Sequence, residues 1–134
     1  RQFSLKDMVR DGYQIGQPSC IFKKELIKKS GYFDETLNHV TEYDLFVRFL
    51  RTDARSFYFD EMFQYILEHP GRKTLVGYKN SWRETKKVNF RNGGDYFSWF
   101  YLLYFKNVYF NGLFNVLRDR QPRFYKFLKN IFTR

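Results

Sequence analysis

The sequence predicts an α/β domain followed by a mainly helical tail rich in aromatic and basic residues. Three observations predict it. Apolar residues recur at helical spacing between positions 41 and 51. Short runs at 15–22, 57–59 and 63–67 read as extended, the last two as strands rich in aromatic residues. The charge then breaks: residues 1–70 carry 10 basic and 11 acidic side chains, and residues 71–134 carry 14 basic and 3 acidic ones. These features divide the chain into a domain-like portion over 1–92 and a helical, amphipathic basic tail over 93–134.

The elements follow in order. Ser4 and Asp7 have the spacing of a capping box and open a short helix that Gly12 ends. Residues 15–22 read as an extended segment broken by Pro18. Residues 23–30 form a short helix with Leu26 and Ile27 inward, and Gly31 sits where a left-handed terminator is wanted. Tyr32-Phe33-Asp34-Glu35 is a loop with Phe33 as its apolar anchor. Over 41–51, Thr41 is the expected N-cap and Asp44 closes its box. Leu45, Phe46, Phe49 and Leu50 make the buried face, and Asp44 with Arg48 forms an i, i+4 pair on the other side. Two strands at 57–59 and 63–67 flank Asp60-Glu61. His69-Pro70-Gly71-Arg72-Lys73-Thr74 is a loop around its Pro-Gly pair, and 75–92 is a polar helix.

The tail opens with ten nearly all apolar residues, 96–105. A membrane-spanning helix needs about 20, so spanning is a weak reading. After Pro122, the apolar side chains Phe124, Phe127, Leu128, Ile131 and Phe132 share one helical face. Arg123, Lys126 and Lys129 share the opposite one, as in a basic amphipathic helix.

Composition excludes several classes. An apolar content of 43% is enough for a core and argues against disorder. A single cysteine, Cys20, rules out a disulfide framework and a Cys-based metal site. It lies in an apolar stretch and is expected to be a buried thiol. The chain opens on Arg1 without a signal-peptide pattern and is read as a piece of a longer protein. No GxSxG, P-loop, HExxH or GxGxxG motif occurs. What remains is acids at a helix start, a histidine in a basic loop, and the basic tail.

Three stretches then coincide in order and spacing. They are Gln17-Pro18-Ser19-Cys20-Ile21-Phe22-Lys23-Lys24, Ser30-Gly31-Tyr32-Phe33-Asp34-Glu35 and Glu42-Tyr43-Asp44-Leu45-Phe46-Val47-Arg48. With the loop from His69 to Thr74, they resemble the acceptor-side, C-terminal part of family 2 glycosyltransferases. The resemblance covers 15 to about 77. It implies the GT-A (Rossmann-like) fold and inverting transfer of a sugar from a nucleotide-sugar to an acceptor hydroxyl, in bacterial polysaccharide or glycolipid assembly.

The resemblance also implies roles. Glu42 stands at the position of the family's general base, with Asp44 as alternative base or helix cap. His69, Arg72 and Lys73 are expected near the donor diphosphate, and His69 as a tentative metal ligand. The cofactor implied is a divalent metal, Mg2+ or Mn2+, bound mostly by an N-terminal half outside this sequence. A glycan or lipid-linked acceptor is expected, at a cytoplasmic location or peripherally on the cytoplasmic face of the membrane. The fragment alone is expected to be inactive.

Other readings stay open beside these. Glu42 could simply favour the helix dipole. His69 could be a loop residue without a special role. Residues 95–134 could pack on the domain or lie on an anionic membrane surface. The chain could also be a basic aromatic binding module, for anionic membrane or for nucleic acid, without catalysis. Nucleic acid is the weaker partner, because no recognised DNA- or RNA-binding signature occurs.

Overall fold

The computed structural model describes residues 3–12, 15–52, 54–62, 64, 65, 67, 71 and 73–110. Among them the regular elements are helical, and no strand occurs. The α/β expectation is therefore corrected, and with it the Rossmann-like GT-A architecture. The reason lies at 57–59. Phe57, Tyr58 and Phe59 are 76%, 60% and 66% exposed and belong to no regular element. Strand propensity needs a cross-strand partner and a face to bury before it becomes a strand. Three successive aromatics carry the propensity but lack the alternation that sets a register. The expected strand at 63–67 lies partly outside the described residues. The expected extended segment at 15–22 instead contains a short 3-10 turn at Gln17–Ser19.

Helix α1 spans Leu5–Val9, and its capping box forms as the sequence predicts. The Asp7 amide donates to Ser4 Oγ (3.2 Å), and the Ser4 amide donates to Asp7 Oδ2 (2.8 Å). Helix α2, Lys24–Ser30, ends at Gly31, whose φ of 85° is a value that glycine adopts without steric cost. Phe33 is 47% exposed and does not anchor its loop. Helix α3, Thr41–Arg51, is the centre of the fold. Leu45, Phe46, Val47 and Phe49 are all buried. They pack with Met8 and Val9 of α1 and with Val88 of the long helix α5, Tyr78–Arg91. The single turn α4, Lys73–Val76, precedes α5.

Helix α6, Trp99–Phe105, continues as a π-helical stretch, Lys106–Phe110. Ser98 caps α6 by accepting from the Tyr101 amide at 3.3 Å. Phe100, Tyr104 and Val108 form a second, smaller apolar cluster with Trp82 of α5. The Phe100 ring stacks on Trp82 with ring centres 5.7 Å apart. The Phe100 amide also donates to the Arg10 carbonyl at 2.8 Å, which ties α6 to the end of α1. Helix α5 thus has the α1–α3 core against one side and the α6 layer against another. The amphipathic helix expected after Pro122 lies outside the described residues. No helix among the described residues is long and apolar enough to cross a membrane.

Candidate functional site at the start of helix α3

The first turn of α3 carries two acids, and the fold gives them different duties. Asp44 is 6% exposed. Its Oδ2 accepts a hydrogen bond from Arg48 Nε at 2.8 Å. Arg48 Nη1 donates to the carbonyls of Ser30 (2.6 Å) and Gly31 (3.1 Å), and Nη2 to that of Tyr32 (2.8 Å). The guanidinium therefore gathers the carbonyls at the end of α2 and fixes them to α3. The sequence suggests an ordinary i, i+4 pair, but Asp44 and Arg48 form a largely buried clamp. That role gives Asp44 a structural duty as the partner of Arg48.

Glu42 is half-buried, and its Oε2 accepts from the hydroxyl of neighbouring Thr41 at 2.9 Å. No other hydrogen bond or ion pair engages Glu42 among the described residues. Thr41 is the first helical residue rather than the N-cap, and the cap position, held by Val40, makes no side-chain hydrogen bond. The expected Thr41–Asp44 box does not form. The preceding chain is instead held from α5. Glu84 Oε2 accepts from the amides of Asn38 (3.1 Å) and His39 (2.8 Å). A carboxylate 46 residues away thus holds the approach to α3, a partnership with no local sequence signal.

Three further features lie near α3. The Tyr43 hydroxyl lies 2.6 Å from Asn89 Oδ1 and 2.9 Å from the Met8 carbonyl, joining α3 to α5 and α1. Burial pushes the Tyr43 phenol far above its ordinary range, against a smaller opposing effect of the Asn89 hydrogen bond. Asp34 accepts from the Thr36 hydroxyl (2.6 Å) and amide (3.0 Å) in a local turn. Those bonds, the hydroxyl's first, hold its carboxyl below the usual range, with Arg91 and Arg48 contributing. His39 is half-buried beside Gly77, where a Cβ would collide with its ring. Its Nδ1 is buried with no hydrogen-bond partner among the described residues. The sequence singled out neither Glu84 nor His39.

Of the other expected site residues, only Lys73 lies among the described ones. Lys73 is exposed at the first position of α4. His69 and Arg72 lie outside the described residues. No group of three or more His, Cys, Asp or Glu side chains among the described residues could hold a metal ion. The expected divalent metal falls mostly to residues outside this sequence, and its tentative ligand His69 lies outside the described residues. Cys20 is only half-buried, with its thiol donating to the Gly16 carbonyl at 3.3 Å. Partial burial raises its pKa, which disfavours the reactive thiolate.

No protein-family model matches the chain, and neither a curated protein nor a solved structure does.

Proposed function

We propose that this chain supplies the acceptor side of an inverting sugar transfer, with Glu42 as general base. The supporting observation is the division of labour on α3. Asp44 is committed to Arg48, whereas Glu42 has no partner beyond its neighbour's hydroxyl among the described residues, at a helix start held from α5. In the proposed step, Glu42 takes the proton of an acceptor hydroxyl as that oxygen bonds to the anomeric carbon. The bond from that carbon to the donor's diphosphate oxygen breaks, and the nucleoside diphosphate leaves with the electron pair. A hydroxyl is a poor nucleophile at neutral pH, so a positioned base contributes roughly a hundred- to ten-thousand-fold. The nucleotide-sugar and any divalent metal would be held mostly by residues outside this sequence. Replacing Glu42 with Gln in the full-length enzyme should lower kcat by that factor and leave KM for the nucleotide-sugar nearly unchanged. Unaltered turnover would remove Glu42 as the base.

A peripheral seat on an anionic membrane surface, on the cytoplasmic face, is a second part of the proposal. It is favoured by the outer face of the α6 region. Phe97 is 95% exposed, Trp99 59% and Leu102 58%. Aromatic side chains of this kind suit the membrane interface, and the net charge of +11 over residues 71–134 complements anionic lipid. Such a seat would place Glu42's protein beside a lipid-linked acceptor. The chain should co-sediment with phosphatidylglycerol vesicles and be released by salt. Equal binding to neutral and anionic vesicles would remove the electrostatic part.

A further inference from the structure

Lys86 of α5 lies among four aromatic rings. Its Nζ is 5.5 Å from the ring centre of Phe90, 5.7 Å from that of Tyr96, 5.4 Å from Tyr101 and 5.0 Å from Tyr104. A cation within about 6 Å of a ring face is attracted by the ring's quadrupole. A single contact of this sort is ordinary, but four around one ammonium make a cage. The walls come from three places: Phe90 from α5, Tyr96 from the connection, and Tyr101 and Tyr104 from α6.

The walls also brace one another. Ring centres are 4.8 Å apart for Phe90 and Tyr96, 4.8 Å for Tyr96 and Tyr101, and 5.7 Å for Tyr101 and Tyr104. The cage therefore does not depend on the lysine to hold its shape. It is also reachable, since Lys86 is half-buried and Tyr96 is 58% exposed. No ion pair with a carboxylate engages Lys86 among the described residues.

The chemistry of the walls points past their present occupant. A primary ammonium has three N–H donors and is best held by carboxylates, carbonyls or water. Ring faces attract its charge but offer those donors little. An ammonium bearing methyl groups has fewer N–H donors or none, and its methyl surface is suited to ring faces. We infer that the rings of Phe90, Tyr96, Tyr101 and Tyr104 form a binding site for a methylated or quaternary ammonium, which Lys86 fills in cis. Lys86 acts as a tethered competitor, so an external cation must displace a group present at high effective concentration. This inference is independent of the sugar-transfer proposal.

The test titrates the full chain and its Lys86→Ala variant with tetramethylammonium chloride, with matched sodium chloride as control. The readout is the upfield ring-current shift of the tetramethylammonium methyl protons, together with protein fluorescence. Lys86→Ala should bind saturably and at least about tenfold more tightly than the wild type. Adding Tyr96→Ala to that variant should weaken binding again. Displacement of tetramethylammonium by free choline but not by phosphatidylcholine vesicles assigns a soluble ligand, and the reverse assigns a lipid headgroup. No saturable binding by a folded Lys86→Ala chain overturns the inference. Should that variant not fold, reductive methylation of the wild type with labelled formaldehyde gives the answer. The Lys86 dimethylammonium signal should lie upfield of those of the exposed lysines, and coincidence with them overturns the cage.

Discussion

The two sides of α5 are held by different kinds of force. Toward α3, the polar contacts are directed: the Tyr43 hydroxyl between Met8 and Asn89, and Glu84 on two amides, while the Arg48 fork in turn ties α3 to the end of α2. Toward α6, the contacts are mostly ring on ring and ring on cation. Directed bonds fix a backbone position to within a few tenths of an ångström, because their energy falls steeply with distance and angle. Ring packing is less particular and leaves large apolar surfaces to water. The proposed base Glu42 thus lies on the side fixed by directed bonds, and positioning is what a general base would need. The side that carries α6 is the one to which the proposed lipid surface and organic cation are assigned.

The largest expected effect breaks the directed contacts of α3. Arg48→Ala removes the partner of the largely buried Asp44 and leaves three carbonyls with one donor fewer. Stranding one member of such a pair costs about 3 kcal/mol, toward the lower end because Arg48 retains some exposure. Urea unfolding would measure it, and a loss below about 1 kcal/mol would mean that water replaces the clamp. Proteolysis near residues 30–32 should speed up in the same variant, because those carbonyls lose their anchor.

How far the sequence revealed these sides follows from the same distinction. Helix α3 was legible because its own residues specify it, through apolar spacing and helix-favouring acids at its start. The capping box of α1 was legible because both partners lie within four residues. The hold on the α3 approach was not, because Glu84 reaches it from a distant polar helix with weak periodicity. Arg48 was visible as a partner of Asp44, but its three carbonyls belong to a neighbouring helix end. The strands expected at 57–59 and 63–67 came from composition, and composition cannot say whether a pairing partner exists. Phe33 and Cys20 failed likewise: apolar neighbours in sequence suggested burial, but only tertiary packing decides it. At the candidate base, the sequence distinguished Glu42 from Asp44 mainly by resemblance, whereas the clamp gives a physical reason for the distinction.

A subtler break comes from Tyr43→Phe. The substitution removes the single phenol proton that lies between Asn89 Oδ1 and the Met8 carbonyl inside the core, at a cost of roughly 2 kcal/mol near neutral pH. The cost should depend on pH in a particular direction. Burial raises the Tyr43 phenol above its ordinary value of 10.0. The unfolded chain therefore ionises this group at a pH where the folded chain does not. Stability from the neutral buried phenol is present below pH 10.0 and is lost as pH rises beyond it. Phenylalanine cannot ionise, so the gap between wild type and variant should narrow from neutral pH to about pH 11. A gap that stays constant would mean that the phenol is hydrated in the folded state.

The smallest expected effect lies on the α6 side. Lys86→Ala removes four cation–π contacts, but the ammonium is half-buried and regains its hydration on unfolding. Such contacts are worth about 0.5–1 kcal/mol at exposed sites, and the rings continue to pack on one another without the lysine. A loss of stability of about 1 kcal/mol or less is expected, measured by urea unfolding beside Arg48→Ala. The contrast matters more than either value. A small loss at Lys86 means that the ring walls stand without their occupant, as a binding site requires. A loss as large as that of Arg48→Ala would place Lys86 among the structural pins of the fold. The α6 side would then be as rigidly held as the α3 side, and the distinction between a positioning face and a contacting face would collapse.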